Sequence, residues 1–219
     1  MGKINILHGD CMEAMASMKD KEYELAIVDP IFGELMTQGG YCKNNADNMA
    51  KSKNYNTSIW TQPKTTKEYF KELLRVSKEQ IIWGGNYFIE EICRNTSCMI
   101  VWDKDRTGNF ADAELAWTSF DTATRIFKYR WNGMLQQDMK NKEIRIHPTQ
   151  KPVALYQWLL KNYAKQGDRI LDTHGGSCSS AIACDIMGFD ADIYEIDKDY
   201  YEAAVDRFSR HKQQQVMEF

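Results

Sequence analysis

The sequence predicts an α/β fold, because short apolar runs alternate with longer amphipathic ones along its length. Of its 219 residues 43% are hydrophobic and 12% aromatic, enough to bury a full core and to exclude a disordered chain. One domain over residues 1–219 is expected, since no linker, repeat or low-complexity tract divides the chain.

The elements follow in order. Strands are expected at residues 4–7 and 24–28, the second reading Glu-Leu-Ala-Ile-Val. A helix over 67–76 places Phe70, Leu73 and Leu74 on one side. Apolar runs give strands at 80–83, 99–102, 115–118 and 125–129. A helix over 153–164 aligns Val153, Tyr156, Leu160 and Tyr163 at spacings of three, four and three. After a strand at 169–171, a helix over 179–187 stops at Gly188, a natural terminator. After a strand at 192–195, Asp197 can cap a helix over 198–210, which aligns Tyr201, Val205 and Phe208. Residues 33–63 and 131–146 fit no regular element; loops of such length in a compact domain are usually functional or disordered.

Charge excludes some partners. With 28 basic against 31 acidic side chains the net charge is −3, so nucleic acid is not attracted by the whole molecule. No apolar run approaches the ~18 residues that cross a bilayer, and the N-terminal residues lack the pattern of a secretory signal. The six cysteines, at 11, 42, 93, 98, 178 and 184, form no metal-ligand or disulfide pattern, so free thiols in a reducing cytoplasm are expected. Cys93, Cys98 and Cys184 read as small buried hydrophobes, and Trp83, Trp102 and Trp117 as packing residues.

Three segments carry chemistry. In the first, a strand runs into Asp29-Pro30-Ile31-Phe32. Ligands of α/β sheets gather where the strands end. Pro30 stiffens the turn and sets the direction of the preceding carbonyl. A carboxylate, a carbonyl and a ring together suit a planar ligand with an amino group. On this segment alone, a plain turn with Phe32 in the core is the better reading. In the second, strand, glycine turn and helix succeed one another through Asp172-Thr173-His174-Gly175-Gly176-Ser177-Cys178, and Glu195 ends the next strand 23 residues after Asp172. Glycines allow close backbone approach, and an acid about 20 residues on suits ribose hydroxyls. An ordinary turn would not need Glu195; GxGxxG is absent, which speaks against NAD. In the third, His147-Pro148-Thr149-Gln150-Lys151-Pro152 leads into a helix. A helix start explains Pro152 but not the polar run before it.

Taken together, these motifs resemble the S-adenosylmethionine-dependent DNA amino-methyltransferases. With the catalytic motif ahead of the cofactor motif, the order is that of the β group. The resemblance runs from Leu7-His8-Gly9-Asp10 to the last helix. It includes Ile-Ile-Trp-Gly-Gly-Asn-Tyr-Phe at 81–88 and Ala-Trp-Thr-Ser-Phe at 116–120, similar to small phage-type adenine methylases.

The resemblance implies a Rossmann-like class I methyltransferase fold with a circularly permuted motif order. The sheet would be mostly parallel, with one antiparallel strand near an edge. It implies methyl transfer to the exocyclic amine of adenine, in double-stranded DNA with a flipped base, in a bacterial or phage-encoded enzyme serving restriction–modification or a related role. Asp29 and the Pro30 carbonyl would accept from the amine, and Phe32 would stack on the base. Asp172, Gly176 and Ser177 would line the methionine end of the cofactor. Glu195 would hold the ribose, and Asp10 with Cys11 would meet the adenine. His147, Thr149 and Lys151 would close over the methionine part. No metal is implied.

The chain departs from the family pattern at two places. Asp-Pro-Pro-Tyr is replaced by Asp29-Pro30-Ile31-Phe32, and losing a proline at Ile31 is expected to loosen the loop. Cys178 puts a side chain where bare backbone usually meets the cofactor. These departures leave open a catalytically silent, DNA-binding partner of an active methylase; cytosine is the alternative target base. DNA contact would come from local charge. Residues 123–151 carry seven basic against two acidic side chains, and residues 33–67 carry five against two. The expected contacts are Lys43, Lys51, Lys53, Arg130, Lys140, Lys142 and Arg145. A recognition segment as small as 131–146 implies a short site, help from 33–63, or a second subunit, as in a homodimer.

Overall fold

The computed structural model describes residues 2–33, 64–105, 111–132 and 135–217. The elements are β1 (Ile4–His8), α1 (Cys11–Ser17), β2 (Tyr23–Val28), α2 (Lys67–Val76), β3 (Ser77–Trp83), a 3-10 turn (Gly85–Tyr87) and α3 (Ile89–Ile92). There follow β4 (Met99–Asp103), β5 (Ala113–Thr118), β6 (Arg125–Lys128), β7 (Trp131–Asn132), β8 (Leu135–Gln136), α4 (Val153–Tyr163), β9 (Arg169–Asp172), α5 (Ser179–Met187), β10 (Asp190–Glu195) and α6 (Lys198–Met217).

Eight of these strands pair in the order β1-β10-β9-β2-β3-β5-β4-β6. All pairings are parallel except those of β5, which runs against both β3 and β4. The expected sheet, mostly parallel with one inverted strand, is therefore present. Its chain order is permuted: β1 joins β10, closing the N-terminal strand onto the C-terminal half.

Side-chain alternation along β2 divides the core. Leu25 and Ile27 join Trp83, Trp102, Leu155, Leu159 and Ala181 on the face covered by α4 and α5. Ala26 and Val28 join Met15, Phe70, Leu73, Phe88 and Trp117 on the face covered by α1, α2 and α3. Each fully buried Leu, Ile or Phe contributes roughly 2 kcal/mol by leaving water. Trp83, Trp102 and Trp117 are buried, as the sequence indicates.

Some elements were not anticipated. α1 buries only Met15 and is too short for periodicity to show; Asp10 starts it, its Oδ1 accepting from the Met12 amide at 2.7 Å. The stretch 131–146 contains the β7–β8 hairpin rather than being wholly irregular. β5 begins at Ala113, so it includes Glu114, a charged residue in an otherwise apolar run. Cys98 and Cys184 are buried, but Cys93 is exposed, ending α3 in the left-handed conformation at φ 50°. Among the described residues no helix is long and apolar enough to cross a membrane.

Candidate active site

Residues that end parallel strands meet at one edge of the sheet. Asp29 follows β2, the glycine turn follows β9, and Glu195 ends β10; these three strands are neighbours. The cleft over this edge holds about 910 Å³ including its open mouth, and its walls include both Asp29-Pro30-Ile31-Phe32 and Gly175-Gly176-Ser177.

At the first corner, Asp29 Oδ2 accepts a hydrogen bond from the Lys151 ammonium, while Oδ1 is buried and has no hydrogen-bond partner among the described residues. The Lys151 side chain is 3% exposed. Its ammonium also lies 3.3 Å from Glu114 Oε2, and Lys104 holds Glu114 Oε1 at 2.5 Å. Burial lifts the Asp29 carboxyl above its ordinary range, and Lys151 works against that lift. Burial also opposes charge on Lys151, but Asp29 and Glu114 hold its pKa above the usual value. Burial opposes ionisation of Glu114 too, yet Lys151 and Lys104 hold it below the carboxylate range.

Phe32 is half-buried and seated on Gly84. A Cβ at Gly84 would stand 2.2 Å from Phe32 Cε1, and the residue adopts φ +65°, so only glycine leaves the ring its seat. Tyr87 and Phe88 flank the ring at 5.1 and 5.9 Å between centroids. Ile31 does not leave its segment untethered: its carbonyl accepts from the Thr65 amide at 3.1 Å and the Thr65 hydroxyl at 3.0 Å.

At the second corner, Glu195 fastens the glycine turn. Its Oε2 accepts from the Gly176 amide at 2.6 Å and its Oε1 from the Asp197 amide at 2.9 Å. Gly175 has no room for a side chain, since a Cβ would meet Ile193 Cγ2 at 2.5 Å. Gly176 adopts φ +51° and faces His147. Thr149 Oγ1 lies 3.1 Å from His147 Nδ1, and both residues line the cleft. Burial, helped by Lys151, lowers His147 to about 4; burial does the same for His174. Both imidazoles are therefore neutral near pH 7.

Several expected positions differ. Asp172 does not line the cleft: it is 2% exposed, its Oδ1 accepting from the His174 amide at 3.0 Å and its Oδ2 from the Ser180 hydroxyl at 2.6 Å. It holds the turn from beneath, and burial pushes its carboxyl up to about 7. Cys178 adopts φ 52°, which carries its thiol into the core cluster rather than the cleft. Asp10 and Cys11 stand outside the cleft walls, at the start of α1. The Gly9 amide donates to the Glu195 carbonyl at 3.0 Å, so their turn adjoins the end of β10. Lys151 lines the cleft, but its ammonium is engaged by Asp29 and Glu114 rather than left to a methionine moiety.

Of the expected DNA contacts, Lys140 and Lys142 are exposed. Arg130 pairs with Asp105 at 2.6 Å, and Arg145 donates to the Pro148 carbonyl at 2.7 Å. Lys43, Lys51 and Lys53 lie outside the described residues. Sequence reasoning missed Glu114 and Lys104. The signal for Glu114 was an acid inside the apolar run Ala-Glu-Leu-Ala-Trp-Thr, which gains meaning only once β5 is known to be inverted; Lys104, just after β4, carried no such local signal.

Known proteins resemble the chain in part of its sequence and in its fold. Type II methyltransferase M.HpaI of Haemophilus parainfluenzae is 36% identical over 67 residues, 31% of this chain and 21% of that protein, so the match spans about a fifth of the relative's length. Among solved structures, the M1.HpyAVI–SAM complex superimposes with a TM-score of 0.56 at 20% identity, covering 94% of this chain and 98% of the other. PvuII DNA methyltransferase, cytosine-N4-specific, gives 0.61 at 12% identity over 95% and 87%. TTHA0409 of Thermus thermophilus, complexed with S-adenosyl-L-methionine, gives 0.55 at 16% identity over 96% of each chain. These likenesses establish the fold. The N6/N4 family model of DNA methylases matches residues 21–206, so the chain belongs to that family of DNA methylases.

Proposed function

We propose that the protein transfers a methyl group from S-adenosylmethionine to the exocyclic amine of adenine in double-stranded DNA. One observation carries the reading: the carboxylate of Asp29 and the glycine turn fastened by Glu195 open onto a single cleft. The residues fit such a cofactor. Gly176 offers bare backbone at φ +51°, and Glu195 keeps a carboxylate beside it. Glu195, Gly176, Ser177, His147 and Thr149 would hold the group, with Asp10 and Cys11 at its outer end. When bound, the group supplies an electrophilic methyl on a sulfonium.

The chain's own residues handle the acceptor. Asp29 Oδ1 and the Pro30 carbonyl accept hydrogen bonds from the amine of a base turned out of the duplex, which directs the nitrogen lone pair at the methyl. Phe32 offers its ring to the base. Segments 33–63 and 131–146 read the DNA, with Lys140 and Lys142 toward phosphates.

Asp at the first motif position, rather than Ser, supports adenine over cytosine. Incubation with plasmid DNA and labelled cofactor, followed by mass analysis of the digested nucleosides, tests the reading. N6-methyladenine is expected, and Asp29→Ala should abolish it. N4-methylcytosine would move the reading to cytosine. DNA binding without methyl transfer would make the chain a silent partner.

A further inference from the structure

We propose that Glu114 and Lys104 are positioning residues. With Lys151 and Asp29 they form a chain of alternating charge that commits one oxygen of Asp29 and reserves the other for the amine of the target base. The inference rests on the function proposed above and names the groups that prepare its acceptor.

The geometry starts from Lys151. An ammonium has three N–H donors on a flexible stem, and beside a lone carboxylate it can swing between both oxygens. Here Lys151 engages Asp29 Oδ2 and lies 3.3 Å from Glu114 Oε2, with the Trp83 ring 5.4 Å away. Two anchors in different directions fix the ammonium. Glu114 is fixed in turn, because Lys104 takes its other oxygen at 2.5 Å while lying 5.1 Å from the Trp102 ring centre. Four charges of alternating sign thus stand in line, from Glu114, whose side chain is 34% exposed, to Lys151 at 3%. Asp29 Oδ1 is the atom left over, buried and without a partner among the described residues. An unpaired buried acceptor costs stability, and a donor brought by a ligand would satisfy it.

Topology explains why these residues meet. Asp29 stands at the C-terminal edge of the parallel strands. β5 is inverted, so its beginning, Ala113-Glu114, reaches that same edge. β4 runs with the parallel set and ends there at Asp103, next to Lys104, and the β4–β5 register sets Trp102 opposite Glu114. Neither Glu114 nor Lys104 lines the cleft.

The test compares wild type with Glu114→Gln and Lys104→Met. It measures methyl-transfer kcat across pH, cofactor Kd by calorimetry, and thermal midpoint. The charged groups that act on Asp29 are Lys151, Glu114 and Lys104, with the Asp172 carboxyl also close enough to couple to it. In Glu114→Gln the amide leaves Lys151 less constrained, and kcat should fall roughly tenfold to a hundredfold with little change in cofactor Kd. Removing the negative charge of Glu114 also favours ionised Asp29. The acid limb of the kcat profile should therefore move to lower pH, a displacement that loss of packing would not produce. Lys104→Met should lower kcat without that downward movement, and it serves alone if Glu114→Gln does not fold. Wild-type kcat in both variants, or an unmoved acid limb in a folded Glu114→Gln, overturns the inference while leaving the function standing. Absence of methylation by wild type overturns both.

Discussion

Asp172→Asn tests the burial of charge beneath the glycine turn. Asp172 is sealed under the turn, and burial, opposed by the Ser180 hydroxyl and the His174 amide, raises its carboxyl from 3.8 to about 7. Ionising it in the fold therefore costs about 4 kcal/mol relative to the unfolded chain. The sign follows from linkage. Between the two pKa values the folded protein binds more protons than the unfolded one, so this group's contribution falls as pH rises and levels off above about 7. From pH 5 to pH 8 the loss integrates to about 3 kcal/mol. Asn cannot ionise and keeps one oxygen for the His174 amide, while its NH2 can donate to Ser180. Urea unfolding followed by tryptophan fluorescence at pH 5, 6, 7 and 8, at constant ionic strength, measures the effect. The stability of Asp172→Asn relative to wild type should rise by up to about 3 kcal/mol across that range, or roughly 1 M in urea midpoint. A difference that does not change with pH would refute the assignment of a buried, raised carboxyl.

Gly84→Ala would push a methyl into the Phe32 ring at a positive φ. It should cost about 1–3 kcal/mol in urea unfolding and lower kcat, with cofactor affinity preserved. Cys178→Gly should leave cofactor Kd within about twofold by calorimetry, because the thiol points into the core; relief of its left-handed backbone, about 1 kcal/mol, partly offsets the lost packing. Lys140→Glu with Lys142→Glu should weaken DNA binding and reduce the slope of log affinity against log salt by about two or more, without altering cofactor binding. Unchanged DNA affinity in that double variant would remove segment 131–146 from the interface.

Features with local signals were legible in the sequence. Helices 67–76 and 179–187 appear with the expected limits, because periodicity and the stop at Gly188 are written in adjacent residues. The turn motifs were visible for the same reason. What escaped depends on distance or direction. Asp29 and Lys151 are 122 positions apart, and no local pattern pairs them. The burial of Asp172 depends on which way the residue ending β9 points, and the path of the Cys178 thiol on a backbone conformation that L-residues seldom adopt. Glu114 became readable only through the inversion of β5.

The adjacency of β10, β9 and β2 acts as a ruler. Strands in a sheet lie about 4.8 Å apart, so Glu195 and Asp29, at the ends of strands two steps apart, are separated laterally by about 10 Å through backbone hydrogen bonds alone. Insertions or exchanges in 33–63 or 131–146 leave that spacing untouched. Under the function proposed above, such a scaffold would change its target sequence by replacing those loops, while the span between its two carboxylates stays the same.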